Sequence, residues 1–416
     1  MMTINRRPDI TERSFNALLM LLPAILLIID RAYGFVALAL VLLSSLNLTL
    51  MRNPPYQLSA QDKLVVTGLT AYPAAVALGM LVHGSWQWDH FDNPARLLLV
   101  LPIYFFVRRH KISQTCLYLG LIIGAIGAGT FGFLQKFVFG WDYAAGHIQK
   151  IQFGNLSLMM GILSLTCCID NRSRKYRTIS TALGVIAFIF GLTGSIASGA
   201  RGGWIALPIV IWLILNKALP ERRLRFGLYA LLLVFAGTLY GNNSFVQEKV
   251  NKAARDVAVY FSDEKAVEGS AGTRLEMWRA AGYMFTDAPF IGVGQGSYRG
   301  ELVALADRGL IDRFAARYGH AHNDFFHIAA EQGLLGLSGF LLFFSCFGYL
   351  FFKYQSRNGR LSTAGVALIV GFTIFGLTQA LFKHAISTTF VAIYASIFSG
   401  IILSTSNNDR VAQNKN

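Results

Sequence analysis

Charged residues are scarce in this sequence. Only 14% of the 416 residues are Asp, Glu, Lys or Arg, whereas 54% are hydrophobic and the mean hydropathy is +0.47. Soluble globular domains carry roughly 25% charged residues. This shortage excludes an ordinary soluble domain, and it predicts an all-α polytopic membrane protein.

Cysteine is also rare, with only Cys116, Cys167, Cys168 and Cys346 in the whole chain. All four lie in or beside apolar runs, so the sequence lacks the spaced pattern of a disulfide framework. We expect four reduced thiols buried among hydrophobic side chains.

Hydrophobic runs, in contrast, recur along the whole length. A window of about 19 residues predicts twelve transmembrane helices, with approximate limits 15–31, 34–51, 63–82, 95–109, 115–135, 152–168, 178–197, 203–216, 226–242, 324–352, 361–382 and 385–404. No small-residue cleavage site follows the first run, which favours a retained helix over a signal peptide. The chain therefore divides into nine transmembrane helices (1–242), a loop domain (243–323), three further transmembrane helices (324–405) and a short tail (406–416).

Acidic residues are fewer than basic ones. The chain has 22 acidic and 37 basic residues, which gives a net charge of +15. The termini and alternate loops hold 21 of the 37 basic residues, whereas the short loops on the opposite side hold only Arg31, Arg96, Lys136, Lys150, Arg201 and Lys383. The positive-inside rule then places both termini in the cytoplasm. The positive charge follows from membrane topology and predicts no nucleic-acid partner.

One connection is far longer than the others. About 80 residues separate Gly241 from Asn323, on the outer side by the same rule. Loops beyond about 15 residues are usually functional or disordered. This one contains "FVQEKVNKAARDVAVYF", in which Val246, Val250 and Val257 mark one helical face, so we expect a helix at the membrane surface.

An arginine in this connection lies in a segment that predicts a helix start. In "GTRLEMW", Thr273 is the expected N-cap and Glu276 completes a capping box. Arg274 would then project from the first turn beside free N–H groups, which suits a phosphate. The alternative is an arginine that pairs with Glu276 or is solvated.

Two more arginines lie at the outer ends of apolar runs. Arg201 stands among small residues in "SGARGGW", and Arg96 begins a run in "FDNPARLLLVLP". A charge at such a boundary is a candidate for function. The alternative for both is a side chain that extends to the lipid headgroups.

Histidines gather where the long connection re-enters the bilayer, in "RYGHAHNDFFHIAAEQGLLGL". If Asn323 or Asp324 caps the following helix, His322 lies just before its first turn, and helical phase would bring Gly333 and Gly336 to the same side. A neutral imidazole there can accept a proton from a hydroxyl.

Two alternatives for these histidines stay open. In the first alternative, His322 lies at the membrane interface and only forms a hydrogen bond with a backbone carbonyl. In the other, His320, His322, His327 and Glu331 would bind a metal ion, although His322 and His327 diverge on a helix. We expect no metal site.

The stretch "HNDFFHIAAEQGLLG" resembles the signature of the O-antigen ligase family, in which His and a polar residue precede two glycines. "SGARGGW", "GTRLEMW" and "DAPFIGVGQGSY" agree with further family motifs, and the similarity covers essentially the whole chain. It implies a GT-C-like glycosyltransferase of the bacterial inner membrane with one large, partly helical periplasmic loop and a periplasmic active site. Such enzymes transfer O-antigen from undecaprenyl pyrophosphate to a sugar hydroxyl of lipid A–core.

The resemblance also implies roles for particular residues. His322 matches the catalytic histidine, the expected general base. Arg201 and Arg274 match arginines that would bind the pyrophosphate, and Arg96 would join them. Asn323, Gly333, Gly336 and His320 would support the site. The expected reaction is an inverting transfer without metal or cofactor.

Other functions remain compatible with the sequence. O-antigen polymerases and protein O-oligosaccharyltransferases share the superfamily, although the latter often carry a longer C-terminal periplasmic part. A polysaccharide transporter is a more distant alternative, because transporters favour internal repeats and we find none.

Overall fold

The computed structural model describes residues 9–50, 57–169, 177–218, 221–242, 244–261, 270–356 and 359–413. Within these ranges it is all-α. The helices are α1 (Ile10–Ile25), α2 (Ala32–Leu50), α3 (Ala60–Val82), α4 (Trp88–Leu99), α5 (Leu101–Arg109), α6 (Gln114–Phe133), α7 (Lys150–Ile169), α8 (Arg177–Ser198), α9 (Ala206–Ala218), α10 (Arg222–Asn242), α11 (Ser244–Tyr260), α12 (Ser270–Asp287), α13 (Tyr298–Asp307), α14 (Asp324–Lys353), α15 (Gly359–Gly376) and α16 (Ala385–Gln413).

Each of the twelve predicted windows contains helix, but fewer helices qualify as membrane spans. Eight within the described ranges are long and apolar enough to cross a bilayer. The windows at 95–109 and 203–216 explain part of the difference. The first is divided at Val100 into α4 and α5, with Pro102 in the first turn of α5, and the second starts in a 3₁₀ turn, Gly202–Ile205. The polytopic, all-helical prediction is confirmed, with eight such helices in place of twelve.

The most C-terminal helix occupies the centre of the bundle. An 18-residue apolar stretch within Ala385–Thr405 of α16 is fully buried, and the corresponding stretches of α7 and α15 are 89% and 78% buried. In contrast, α2 and α8 are only 22% and 28% buried, so they lie at the periphery with apolar side chains outward. An apolar exterior of this kind is typical of a helical membrane protein, whose outer helices contact lipid.

A buried ion pair joins α3 to α5. Arg108 Nε lies 2.8 Å from Asp62 Oδ1, and the two side chains are 4% and 1% exposed. The Tyr104 hydroxyl donates to the same carboxylate, and Ser59 forms a capping box with Asp62. Arg108 is one of the basic residues on alternate loops that the positive-inside rule attributes to membrane topology. That interpretation was incomplete, because the arginine also stabilises the packing of two helices.

Helix α14 is broken at Gly333, whose φ of 60° and ψ of −156° are not helical. The break removes two helical hydrogen bonds, and residues 289–294 replace them. The Ala330 and Glu331 carbonyls accept from Val293 N and Gly294 N, while Leu334 N and Leu335 N donate to the carbonyls of residues 289 and 290. The long connection therefore supplies partners for these two carbonyls and two N–H groups of α14.

Helical phase was expected to bring Gly333 and Gly336 to the same side as His322, and the structure does not support that extrapolation. Helical phase cannot be extended from His322 across the break at Gly333, which approaches the backbone of residues 290–292 and not a neighbouring helix. A Cβ on Gly336 would meet the side chain of Gln332 on its own helix. The glycine of α14 that allows close helix packing is Gly339, which approaches α3 at Tyr72.

Candidate active site

His322 lies at the entrance of α14, in a backbone conformation that side chains rarely adopt. Its φ is 49°, one of two positive values among non-glycine residues in the described ranges. Such conformations cost about 1–3 kcal/mol and persist where the surroundings impose them. Asn323 imposes part of this geometry. Its Oδ1 accepts from Phe325 N and Phe326 N, which confirms it as the N-cap, and its Nδ2 donates to the Leu377 carbonyl.

Aromatic and imidazole rings surround His322. Its ring centroid lies 4.2 Å from that of His320 and 5.7 Å from that of Tyr318. His322 N also donates to His320 Nδ1 at 3.3 Å. The His322 Nδ1 atom lies 2.6 Å from Gln379 Oε1, in the connection between α15 and α16. These contacts hold the imidazole between the long connection and the bundle.

The histidines of this cluster favour the neutral form. Burial lowers the pKa of His322, the hydrogen bond to Gln379 opposes that shift, and the charge of Arg274 adds to it. Burial also lowers the pKa of His384 to about 4, and it places that of His320 well below its ordinary value. At neutral pH His322 therefore presents an unprotonated ring nitrogen, as a general base requires.

Arg274 lies near this imidazole, but not at a helix start. Helix α12 already includes Ser270, so Thr273 is not the N-cap and the predicted capping box is wrong. Glu276 instead accepts from the Tyr260 hydroxyl at 2.6 Å and from Asp312 N at 2.8 Å. The three residues before Thr273, from Ser270 onward, are already helical.

The Arg274 guanidinium is half-buried, and desolvation lowers its pKa. Within the described part of the chain, it forms no hydrogen bond or ion pair. Trp278, one turn further along α12, fixes the helix against the segment that precedes His322. Its Nε1 donates to the Ala321 carbonyl at 2.9 Å, and its ring stacks on Phe326. An unneutralised guanidinium of this kind is suited to an anion.

Arg201 lies on an exposed loop that packs against the same connection as Gln379. It precedes the 3₁₀ turn Gly202–Ile205. A Cβ on Gly202 would lie 2.4 Å from Thr378 Oγ1, so only glycine permits this approach. The structure thus brings the Arg201 loop beside the residues that hold His322.

Arg96 has partners within the bundle. It lies in the last turn of α4, donates to Asp92 Oδ2 from Nε and Nη2 at 3.1 and 2.7 Å, and reaches Thr389 Oγ1 at 3.1 Å. These bonds join α4 to α16. No contact places Arg96 beside His322, so the structure does not assemble all three arginines around one imidazole.

His327 and Glu331 were the core of the alternative metal site. His327 Nε2 lies 3.3 Å from Glu331 Oε2, and Lys383 Nζ lies 3.2 Å from His327 Nε2 and 3.4 Å from Glu331 Oε1. An ammonium group thus occupies the position beside these ligand types. In the described residues, no three His, Cys, Asp or Glu side chains are placed to bind a metal. A cavity of about 190 Å³ borders the cluster and is also lined by His90 and Asn93.

Three residues of the site were not singled out from the sequence: Gln379, Lys383 and His384. The predicted span 361–382 placed Gln379 inside a transmembrane helix, whereas α15 ends at Gly376 and a non-helical connection follows. Hydropathy continues through Leu381 and Phe382, which concealed the break. Lys383 and His384 are the first basic residues after this apolar run.

Comparison with known proteins finds similarity over the segment that contains the candidate site. The family model described as O-antigen ligase matches residues 186–341, which include Arg201, Arg274 and His322. The chain is also 24% identical to an uncharacterized protein of Haemophilus influenzae over 379 residues, covering 89% of this chain and 94% of that protein. Residues 186–341 of this chain are therefore similar to the O-antigen ligase family.

Proposed function

We propose that this protein is an O-antigen ligase, a glycosyltransferase that moves O-antigen from undecaprenyl pyrophosphate to a sugar hydroxyl of lipid A–core. The observation that carries the proposal is the proximity of a neutral, rigidly held His322 to the guanidinium of Arg274. This guanidinium has no ion-pair partner among the described residues, and its charge lowers the pKa of that histidine. A base and an anion-binding group are the two requirements of this reaction.

The proposed reaction is a single displacement at the anomeric carbon of the donor sugar. His322 removes the proton of the acceptor hydroxyl, and that oxygen forms the new glycosidic bond. The bond between the anomeric carbon and the pyrophosphate oxygen breaks with inversion, and undecaprenyl pyrophosphate leaves with the electron pair. The proton on His322 then passes to solvent, which restores the base.

The leaving pyrophosphate gains negative charge as this bond breaks. Arg274 is the best-placed cation to bind it, because its planar fork can hold two phosphate oxygens. Arg201 approaches from the loop that packs on Thr378. For Arg96 we propose a structural role between α4 and α16, since its donors already bond Asp92 and Thr389.

We also propose the orientation of the protein. Basic residues on alternate loops favour cytoplasmic termini in a bacterial inner membrane. Residues 243–323 and the His322 site would then face the periplasm, where both lipid-borne substrates are presented. The four-part division at 242, 323 and 405 follows from this topology.

The lipopolysaccharide profile of a deletion strain tests the proposal. Loss of a ligase leaves lipid-linked O-antigen in place while capped lipopolysaccharide disappears. The parent gene should restore capping, whereas His322→Ala should not, at equal membrane abundance. His147→Ala is the matched control, because this histidine is exposed and lies outside the cluster.

Two outcomes would contradict the proposal. Capping with a single repeat unit in the deletion strain would indicate an O-antigen polymerase. Unchanged lipopolysaccharide with loss of a glycosylated protein would indicate a protein O-oligosaccharyltransferase.

The proposed chemistry relies on arginines and not on a bound cation. Transfer by purified protein should persist in EDTA and gain nothing from added Mg²⁺ or Mn²⁺. If chelation stops transfer and one metal restores it, the roles of His327 and Glu331 must be assigned anew.

A further inference from the structure

Gln379 is a fully buried amide between two imidazoles. Its side chain is 0% exposed, with Oε1 2.6 Å from His322 Nδ1 and Nε2 3.3 Å from His384 Nε2. The backbone of Gln379 is fixed as well, because its N donates to the Phe375 carbonyl and its own carbonyl accepts from Leu381 N. The amide therefore has little freedom to move between the two rings.

The two distances determine which end of the amide faces His322. A separation of 2.6 Å suits a ring N–H that donates to an oxygen, whereas two nitrogens do not approach so closely. The 3.3 Å contact on the other side suits an amide N–H that donates to the ring nitrogen of His384. His384 can accept there because burial keeps it neutral.

This orientation fixes the position of the proton on His322. An amide oxygen only accepts hydrogen bonds, so His322 Nδ1 must carry the hydrogen. In a neutral imidazole the other nitrogen, Nε2, then has a free lone pair. We propose that Gln379 is a positioning residue that holds His322 in the tautomer with unprotonated Nε2, the nitrogen that accepts the proton of the acceptor hydroxyl. This inference rests on the function proposed above.

An uncharged partner also suits the charges around the ring. Arg274 on α12, Tyr318 and His320 before α14, and Lys383 and His384 before α16 surround His322 and Gln379. In the described chain, a carboxylate at position 379 would be the one anion in direct contact with this ring. It would favour the imidazolium and would compete with pyrophosphate for the arginine. The neutral amide orients the base without favouring the imidazolium and without competing with pyrophosphate for the arginine.

Two substitutions separate orientation from packing. Gln379→Leu keeps the approximate shape and removes the hydrogen bond, so we expect about a 3- to 10-fold lower transfer rate at pH 7. Gln379→Glu keeps an acceptor and adds charge, so the acid limb of the pH–rate profile should move up by about 1–3 pH units, with activity regained at high pH. Gln149→Glu, the same change at an exposed position, should leave the profile unchanged.

A second readout does not depend on transfer. Diethyl pyrocarbonate modifies unprotonated imidazole, and mass spectrometry can follow the peptide that contains His322 as a function of pH. In the parent, modification should persist below pH 6.5, and in Gln379→Glu it should fall off at higher pH.

The outcomes distinguish the two proposals. A shifted modification profile in a protein that transfers no O-antigen would support the positioning role and overturn the ligase function. Unshifted profiles in both readouts for Gln379→Glu would overturn the positioning role, while leaving the function intact if His322→Ala is inactive. If Gln379→Leu does not accumulate in the membrane, the glutamate variant decides the question by itself.

Discussion

Replacement of Gly333 by alanine should destabilise the protein severely. The φ and ψ of this residue, 60° and −156°, fall in a region that only glycine enters readily, at a cost of about 1–3 kcal/mol for other residues. The new Cβ would also lie 2.5 Å from the carbonyl carbon of Phe290 and 2.6 Å from Ile291 N. Both neighbours are backbone atoms, so residues 289–294 would have to withdraw.

That withdrawal would break the four hydrogen bonds that replace helical ones in α14. Each contributes about 0.5–1.5 kcal/mol, so complete loss would cost about 2–6 kcal/mol. Alanine would add only about 0.4–1 kcal/mol to the free energy of unfolding, because it restricts the conformations of the unfolded chain. We expect a net loss of about 3 kcal/mol, since part of the strain disappears when the loop moves.

The control is Gly348→Ala on the same helix. A Cβ there would meet only Ile369 Cγ2 at 3.8 Å, an ordinary contact, so better helix propensity should leave stability equal or slightly higher. The measurement is the unfolding temperature of purified protein in one detergent, with the lipopolysaccharide profile of complemented cells. Equal stability of the two variants would refute the assignment of strain and replaced hydrogen bonds to Gly333.

Three further predictions concern charged and titratable groups. Arg274→Ala and Arg201→Ala should lower the transfer rate about 10- to 150-fold, because a charged hydrogen bond to phosphate contributes about 1.5–3 kcal/mol. Lysine at either position should restore part of the rate, and Arg222→Ala should leave it unchanged. The measurements are the transfer rate and the binding of an undecaprenyl pyrophosphate analogue. The pKa values of His320, His322 and His384 are lowered in the folded state, so the unfolded chain binds more protons below about pH 6.5. Stability should therefore be complete above about pH 6.5 and decline toward pH 4, and a flat unfolding temperature over this range would contradict the burial of the cluster. Asp62→Ala should cost about 3–5 kcal/mol by leaving Arg108 buried and unpaired, whereas Asp307→Ala, in an exposed pair with Arg313, should cost at most about 1 kcal/mol.

Local patterns in the sequence predicted the features that depend on neighbouring residues. The N-cap of α14 is such a case, because a capping side chain reaches backbone only two or three residues ahead; the sequence offered Asn323 or Asp324, and Asn323 is the cap. The free state of all four cysteines followed equally from their apolar surroundings, and three of the four are buried. Helix positions followed from hydropathy, since the bilayer requires long apolar segments.

Features that depend on distant parts of the chain could not be predicted in this way. The break at Gly333 exists because residues 289–294 supply hydrogen-bond partners, and no local signal distinguishes Gly333 from Gly336 or Gly339. The contact of Gln379 with His322 joins positions 57 residues apart. The failed cap at Thr273 is the opposite case, in which a correct local pattern was overridden because helix begins earlier, at Ser270.

The central position of α16 has a consequence for biogenesis. This helix is synthesised after every other described helix, yet an 18-residue apolar stretch of it is fully buried in the bundle. Helices generally insert individually and associate afterwards. The earlier helices therefore cannot reach their final packing until α16 has entered the membrane, and the nascent bundle must stay open to admit it. Ribosomes that stall before residue 385 would leave a membrane-inserted bundle without its centre, a natural substrate for membrane quality-control proteases.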